Sequence, residues 1–186
     1  ARLVEKKGLQ YGIYAIANLV KKYPYIEYTI IGDGRLKNSL NGLIETLKVG
    51  DHIRLLGWMQ QDEIIDWLYK ADILLCPSVT SHNGDQEGTP LVIIEALARG
   101  LPVLSTWHSG IPELIQDQKS GMLVAEHDVA ALTNKLEYLI KHPELWPEMG
   151  RQGRKYVEEH HDIDKLNNRL VEIYQRLLEE KLPHCT

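Results

Sequence analysis

From Leu9 to Val124, apolar runs of three or four residues alternate with longer segments whose apolar residues recur at helical spacing. Parallel strands joined by crossover helices give this pattern, so the predicted class is α/β. Leu9 to Lys22 carries Ile13, Ile16, Ala17 and Val20 on one helical face, and Tyr23-Pro24 closes it, because the residue before a proline is pushed out of the helical region. Tyr28–Ile31 predicts a buried strand that stops at the turn Gly32-Asp33-Gly34, ahead of a helix from Arg35 to Lys48. Further strands are expected at Ile53–Leu56, Ile73–Cys76, Pro102–Ser105 and Met122–Val124, with helices at Asp62–Tyr69 and Pro90–Arg99. After Val124 only helical spacing persists, at Val129–Lys141, Pro143–Glu158 and Ile163–Leu182. Ala1-Arg2-Leu3 reads as the end of a strand already under way, so the sheet is expected to have about six strands and an upstream segment is expected before it.

The 186 residues suffice for one domain with a hydrophobic core, and 44% apolar with 25% charged residues is ordinary for a folded soluble protein. A net charge of −5 argues against nucleic acid as a partner, because phosphate backbones are held by clustered Lys and Arg. The two cysteines, Cys76 and Cys185, form neither a disulfide framework nor a metal-ligand spacing. No apolar run approaches the ~20 residues that span a bilayer, and no export signal opens the chain. The expected location is therefore the cytoplasm.

Candidate chemistry concentrates in Glu87-Gly88-Thr89-Pro90-Leu91-Val92-Ile93-Ile94-Glu95, which follows a loop of about a dozen residues, Ser78 to Thr89. Thr89 is expected to cap the helix and Pro90 to occupy its first position. The free N–H groups of Leu91 and Val92, together with the positive end of the helix dipole, then offer a site to anions or sugar hydroxyls. Gly88 lets a ligand approach the backbone closely. Glu95 falls within an apolar run and is expected to need hydrogen-bond donors, such as the vicinal hydroxyls of a ribose or sugar.

This segment resembles the Glu-x7-Glu motif of retaining family-four glycosyltransferases with the GT-B fold. The likeness extends to Arg2-Leu3-Val4-Glu5-Lys6-Lys7-Gly8, Ile30-Ile31-Gly32-Asp33-Gly34, Leu55-Leu56-Gly57-Trp58-Met59, Ala71 to Ser78, and Ser109-Gly110-Ile111-Pro112-Glu113 with Gly121 to Val124. The resemblance implies a Rossmann-like parallel sheet flanked by helices, the C-terminal, nucleotide-sugar-binding domain of a GT-B enzyme. It implies that Arg2 and Lys7 grip the donor diphosphate, that Glu87 meets the donor sugar and Glu95 the ribose, and that the backbone at Met59 meets the base. Gly32, Gly88, Thr89 and Leu91 complete the donor-binding set. Pro90 stands where some relatives have Gly, which shifts amide contacts to Thr89 and Leu91.

The implied partners are a UDP-, GDP- or ADP-sugar and a glycan or lipid-linked acceptor, with no metal and no other cofactor. The insert Ser81-His82-Asn83-Gly84-Asp85-Gln86 is similar to that of bacterial exopolysaccharide transferases of the colanic-acid type. The acceptor would be held by an N-terminal domain absent from these residues, to which the helix from Ile163 is expected to cross, so the chain alone is expected to transfer nothing. For the full-length enzyme this leaves room for peripheral association at the inner face of the membrane. The alternatives are a nucleotide-sugar 2-epimerase, a glycogen-synthase-like enzyme or a non-catalytic nucleotide-binding module.

Overall fold

A computed structural model describes residues 1–181, with side chains through residue 179. Strand β1 (Tyr28–Ile31) pairs in parallel with β2 (Ile53–Gly57), so that Ile30 faces Leu55. A second parallel ladder joins β3 (Leu74–Cys76), β4 (Val103–Thr106) and β5 (Gly121–Val124), with Leu75 opposite Leu104 and Leu104 opposite Met122. Helices α1 (Leu9–Leu19), α2 (Lys37–Leu47), α3 (Gln61–Lys70) and α4 (Leu91–Ala98) each precede the next strand, as parallel pairing requires. From β4 to β5 the link is a short 3-10 turn at Ile111–Glu113.

Strands β4 and β5 are buried on both faces, and their alternation divides the interior in two. Leu104, Met122 and Val124 pack with Ile13 and Ile16 of α1 and with Leu132, Leu136 and Leu139 of α5 (Val129–Lys141). Val103 and Leu123 point the other way, to Ile93 and Leu97 of α4 and Val157 of α6 (Trp146–His160). Each such side chain contributes about 1.5–3 kcal/mol on burial. Asp128 caps α5 by accepting from the Ala131 N–H at 2.8 Å, the role its position before the helix suits.

Residues 1–8 lie between the two ladders. The Ala1 nitrogen donates to the Ile31 carbonyl and the Leu3 N–H to the Asp33 carbonyl, while the Val79 N–H, just past β3, donates to the Lys6 carbonyl. Leu3 is wholly buried there. The described residues hold five strands, in ladders of two and three, where the sequence suggested one sheet of about six. Ala1–Leu3 run beside β1, but the chain coils into a 3-10 turn at Glu5–Lys7 before a ladder with β3 can form.

The helix expected from Pro143 to Glu158 is a 3-10 turn at Pro143–Leu145 followed by α6. Helix α7 (Ile163–Lys181) is exposed from Ile163 to Glu179, including Leu166, Leu170, Val171, Tyr174, Leu177 and Leu178. Leu182, the predicted end of that helix, lies outside the described residues.

Candidate functional site

The carboxyl ends of the strands gather the candidate residues, and the 3-10 turn at Glu5–Lys7 organises them. Three successive side chains of this turn reach the loop after β3. Glu5 accepts from the His82 N–H at 3.0 Å and also meets the His82 ring. Lys6 Nζ donates to Asp85 Oδ1 and to the Gln86 carbonyl, each at 3.0 Å. Lys7 Nζ donates to Glu87 Oε2 at 2.8 Å. The turn ends at Gly8 with φ 59°, where a Cβ would stand 1.8 Å from the Pro77 carbonyl oxygen. Only glycine permits this conformation and this approach to the end of β3.

Glu87 is buried, with a side-chain exposure of 8%. Lys7 satisfies one of its oxygens. The other, Oε1, accepts no hydrogen bond among the described residues, and Lys6 Nζ stands off from it at 3.9 Å. A buried carboxylate oxygen with unused lone pairs is costly unless something donates to it.

The Glu87 N–H donates to Nε2 of the fully buried His108 at 3.0 Å, and His108 Nδ1 lies 2.7 Å from Glu126 Oε1. A backbone N–H can only donate, so Nε2 carries the lone pair and Nδ1 the proton, which it donates to Glu126. Glu126 Oε2 accepts from the Thr80 N–H at 2.7 Å. Partial burial pushes the Glu126 carboxyl up, but the Thr80 N–H and then His108 outweigh it and hold the group below the usual carboxylate range. Burial pushes the Cys76 thiol up; Lys7 and Glu87 act on it in opposite senses.

The start of α4 differs from expectation. Pro90 is the capping residue, with φ −68° and ψ 107°, and the helix opens at Leu91; no side chain caps it, so Thr89 is not the N-cap. The extended ψ of Pro90 leaves Thr89 outside the helix altogether. Thr89 and Gly88 are exposed, and a Cβ at Gly88 would meet nothing within 4 Å. Leu91 is 69% exposed, and its N–H and that of Val92 have no backbone acceptor among the described residues.

Glu95 is half-buried on α4 and accepts from Gln61 Nε2, at the start of α3, at 2.9 Å. The donor it was expected to need is thus already supplied within the protein. Gly32 gives its N–H to the Gly57 carbonyl at 2.7 Å, and its φ of 138° admits the Ala1 carbonyl where a Cβ would clash. Met59 lies half-buried in the turn between β2 and α3. Arg2 is exposed and makes no ion pair among the described residues. The structure therefore joins Lys7 directly to Glu87 and ties Glu95 to Gln61. Lys6, Thr80, His108 and Glu126 were not legible in the sequence: their contacts span 18 to 80 positions, and no local spacing marks them.

Basic side chains, a buried carboxylate and an open helix start are thus gathered beyond the carboxyl ends of parallel strands, where α/β domains bind their ligands. The chain belongs to the glycosyl transferases group 1 family, whose model matches residues 1–156. It is 40% identical over 179 residues to the putative colanic acid biosynthesis glycosyltransferase WcaL of Escherichia coli K12, covering 95% of this chain and 44% of WcaL. Its fold matches HepE of Anabaena, solved in complex with UDP, with a TM-score of 0.84 at 20% identity over 95% of this chain and 47% of HepE. It also matches the C-terminal domain of a group 1 family glycosyltransferase, LpcC of Francisella tularensis, with a TM-score of 0.76 at 27% identity, covering 87% of this chain and 83% of that one. The architecture is thus the α/β fold of a GT-B C-terminal domain, and the chain spans less than half the length of WcaL.

Proposed function

We propose that the chain is the donor-binding, C-terminal half of a retaining glycosyltransferase that moves a hexosyl unit from a nucleotide-sugar to a glycan or lipid-linked acceptor of exopolysaccharide synthesis. Family membership and the 40% identity to WcaL support the class, and the likeness to the LpcC C-terminal domain supports the position in a longer enzyme. The observation that carries the site is Glu87: a buried carboxylate with one oxygen fixed by Lys7 and the other unsatisfied.

Transfer breaks the bond between the anomeric carbon and the diphosphate, so negative charge gathers on the leaving group as positive charge gathers on the sugar. Lys7 uses one N–H on Glu87 and keeps two for a phosphate oxygen. Exposed Arg2, on the same segment, adds a second cation, and the N–H groups of Leu91 and Val92 add neutral donors. One donor well placed on the developing charge is worth about 3 kcal/mol. Glu87 Oε1 accepts from a sugar hydroxyl, and Glu95, shared with Gln61, accepts from the ribose. Gly32, Gly88, Thr89 and the backbone of Met59 shape the nucleotide's surroundings. Cations of the chain take the place of a metal, so chelator leaves donor binding unchanged. The apolar face of α7 packs on the acceptor-binding half.

Thermal melting of the chain with UDP-, GDP- and ADP-sugars tests this. One base class raises the melting point in a concentration-dependent way, Lys7→Met and Glu87→Ala reduce the shift, and the chain alone transfers no sugar. Absence of any shift with all three bases at millimolar concentration refutes the proposal.

A further inference from the structure

Within the loop Thr80–Glu87 the bonds are the Ser81–Asp85 and Gly84–Ser81 backbone pairs, an Asn83 side-chain bond to the Asp85 N–H and a Gln86 Nε2 bond to the Thr80 hydroxyl at 3.3 Å. Its two ends are also tied to one pair, the buried His108 and the half-buried Glu126. Glu126 accepts from the Thr80 N–H through Oε2 and from His108 through Oε1, and His108 accepts from the Glu87 N–H on its far nitrogen. An imidazole with distinct donor and acceptor nitrogens, oriented by a two-oxygen carboxylate, links two backbone amides seven residues apart. Neither amide has a partner in the strand ladders, so the pair supplies what regular structure does not.

We infer that His108 and Glu126 are positioning residues: they fix the backbone at Glu87 so that its carboxylate faces the sugar half of the donor, and they set the enzyme's discrimination of nucleotide-sugar over nucleoside diphosphate. Lys7 holds the carboxylate itself, through Oε2. Glu87 is thus held both at its amide and at Oε2, which leaves Oε1 the acceptor without a donor among the described residues. Neither positioning residue has to touch the ligand. Their effect is geometric, and a misplacement of about 1 Å is enough to cost a contact of this kind. The Nδ1-protonated form is required, since a proton on Nε2 would oppose the Glu87 N–H.

Because this depends on Glu87 meeting the donor sugar, as proposed above, the test compares UDP with UDP-glucose, GDP with GDP-mannose and ADP with ADP-glucose by calorimetric titration of the chain. For the base that binds, the sugar nucleotide is expected to be about tenfold tighter than its diphosphate. Glu126→Ala and His108→Ala bring that ratio towards one and leave diphosphate affinity within about twofold. Glu126→Gln, whose single carbonyl accepts only one of the two N–H groups, falls between. Glu126 is 23% exposed, so its variants keep the test open if the buried His108→Ala does not fold. A nitrogen-15 spectrum is expected to show His108 protonated on Nδ1.

Variants that retain the full ratio, or that lose both affinities in parallel, overturn the positioning role while leaving the donor site standing. A wild-type chain that binds a diphosphate but shows no preference for its sugar also overturns it. Failure to bind any of the six compounds removes the donor site and this role together.

Discussion

At the scale of single residues, Glu137 shows how a cluster at a helix edge becomes a pH response. It accepts from Lys22, from Lys141 and from the Tyr23 hydroxyl, joining the end of α1 to α5. Lys22 first, then Lys141 and Tyr23, lower its pKa from 4.5 to about 2. A carboxyl whose folded pKa is depressed stabilises the fold above its unfolded pKa, and that contribution is lost as pH falls through the folded value. Glu137→Gln is therefore expected to lower the melting point at pH 7, with the difference from wild type shrinking between pH 4.5 and about 2, as calorimetry across that range will show. Nothing local in the sequence announced this cluster, just as nothing announced His108 or Glu126. By contrast Glu87, Glu95 and Lys7 could be singled out, through the resemblance of their segments to a known family and not through spacing alone. Their pairing could not: Lys7 with Glu87, and Glu95 with Gln61, arise from packing across the fold.

Elements were read more reliably than their ends. Helix α5 falls on its expected bounds, where Asp128 caps it, and α1 ends three residues early because Val20–Lys22 leave the helix as a turn before Pro24. Thr89 misled because threonine before proline usually signals a cap; here Pro90 holds that position itself. Glycines inside helices divide by what surrounds them. In α6, a Cβ at Gly150 would lie 2.0 Å from the Gly100 carbonyl oxygen, whereas at Gly42 in α2 it would meet nothing within 4 Å. Gly150→Ala is expected to cost about 2 kcal/mol through displacement of the α4–α6 contact. Gly42→Ala is expected to add about 1 kcal/mol, because alanine is the better helix former. Denaturant midpoints of the two variants should move in opposite directions.

Across the whole molecule, the alternation of strand and helix was enough to indicate an α/β sheet, and the two-sided burial of β4 and β5 bears it out. What the pattern could not show is that α7 has no buried side chain among the described residues: from Ile163 to Glu179 each is exposed. Helical periodicity records an apolar face but not its partner. Ending the chain after Asp162 is accordingly expected to leave the melting point within about 3 °C of the parent. A larger drop would mean that α7 folds back on the domain in solution.

The placement of residues 1–8 between the ladders has a geometric result. On one side the chain winds outward through β1 to β2; on the other it winds outward through β3, β4 and β5. Where the winding of an α/β fold reverses in this way, ligands are characteristically received beyond the carboxyl ends of the strands. Arg2, Lys7 and the residues after β3 are brought to this point by the winding order of the strands, independently of the side chains they carry.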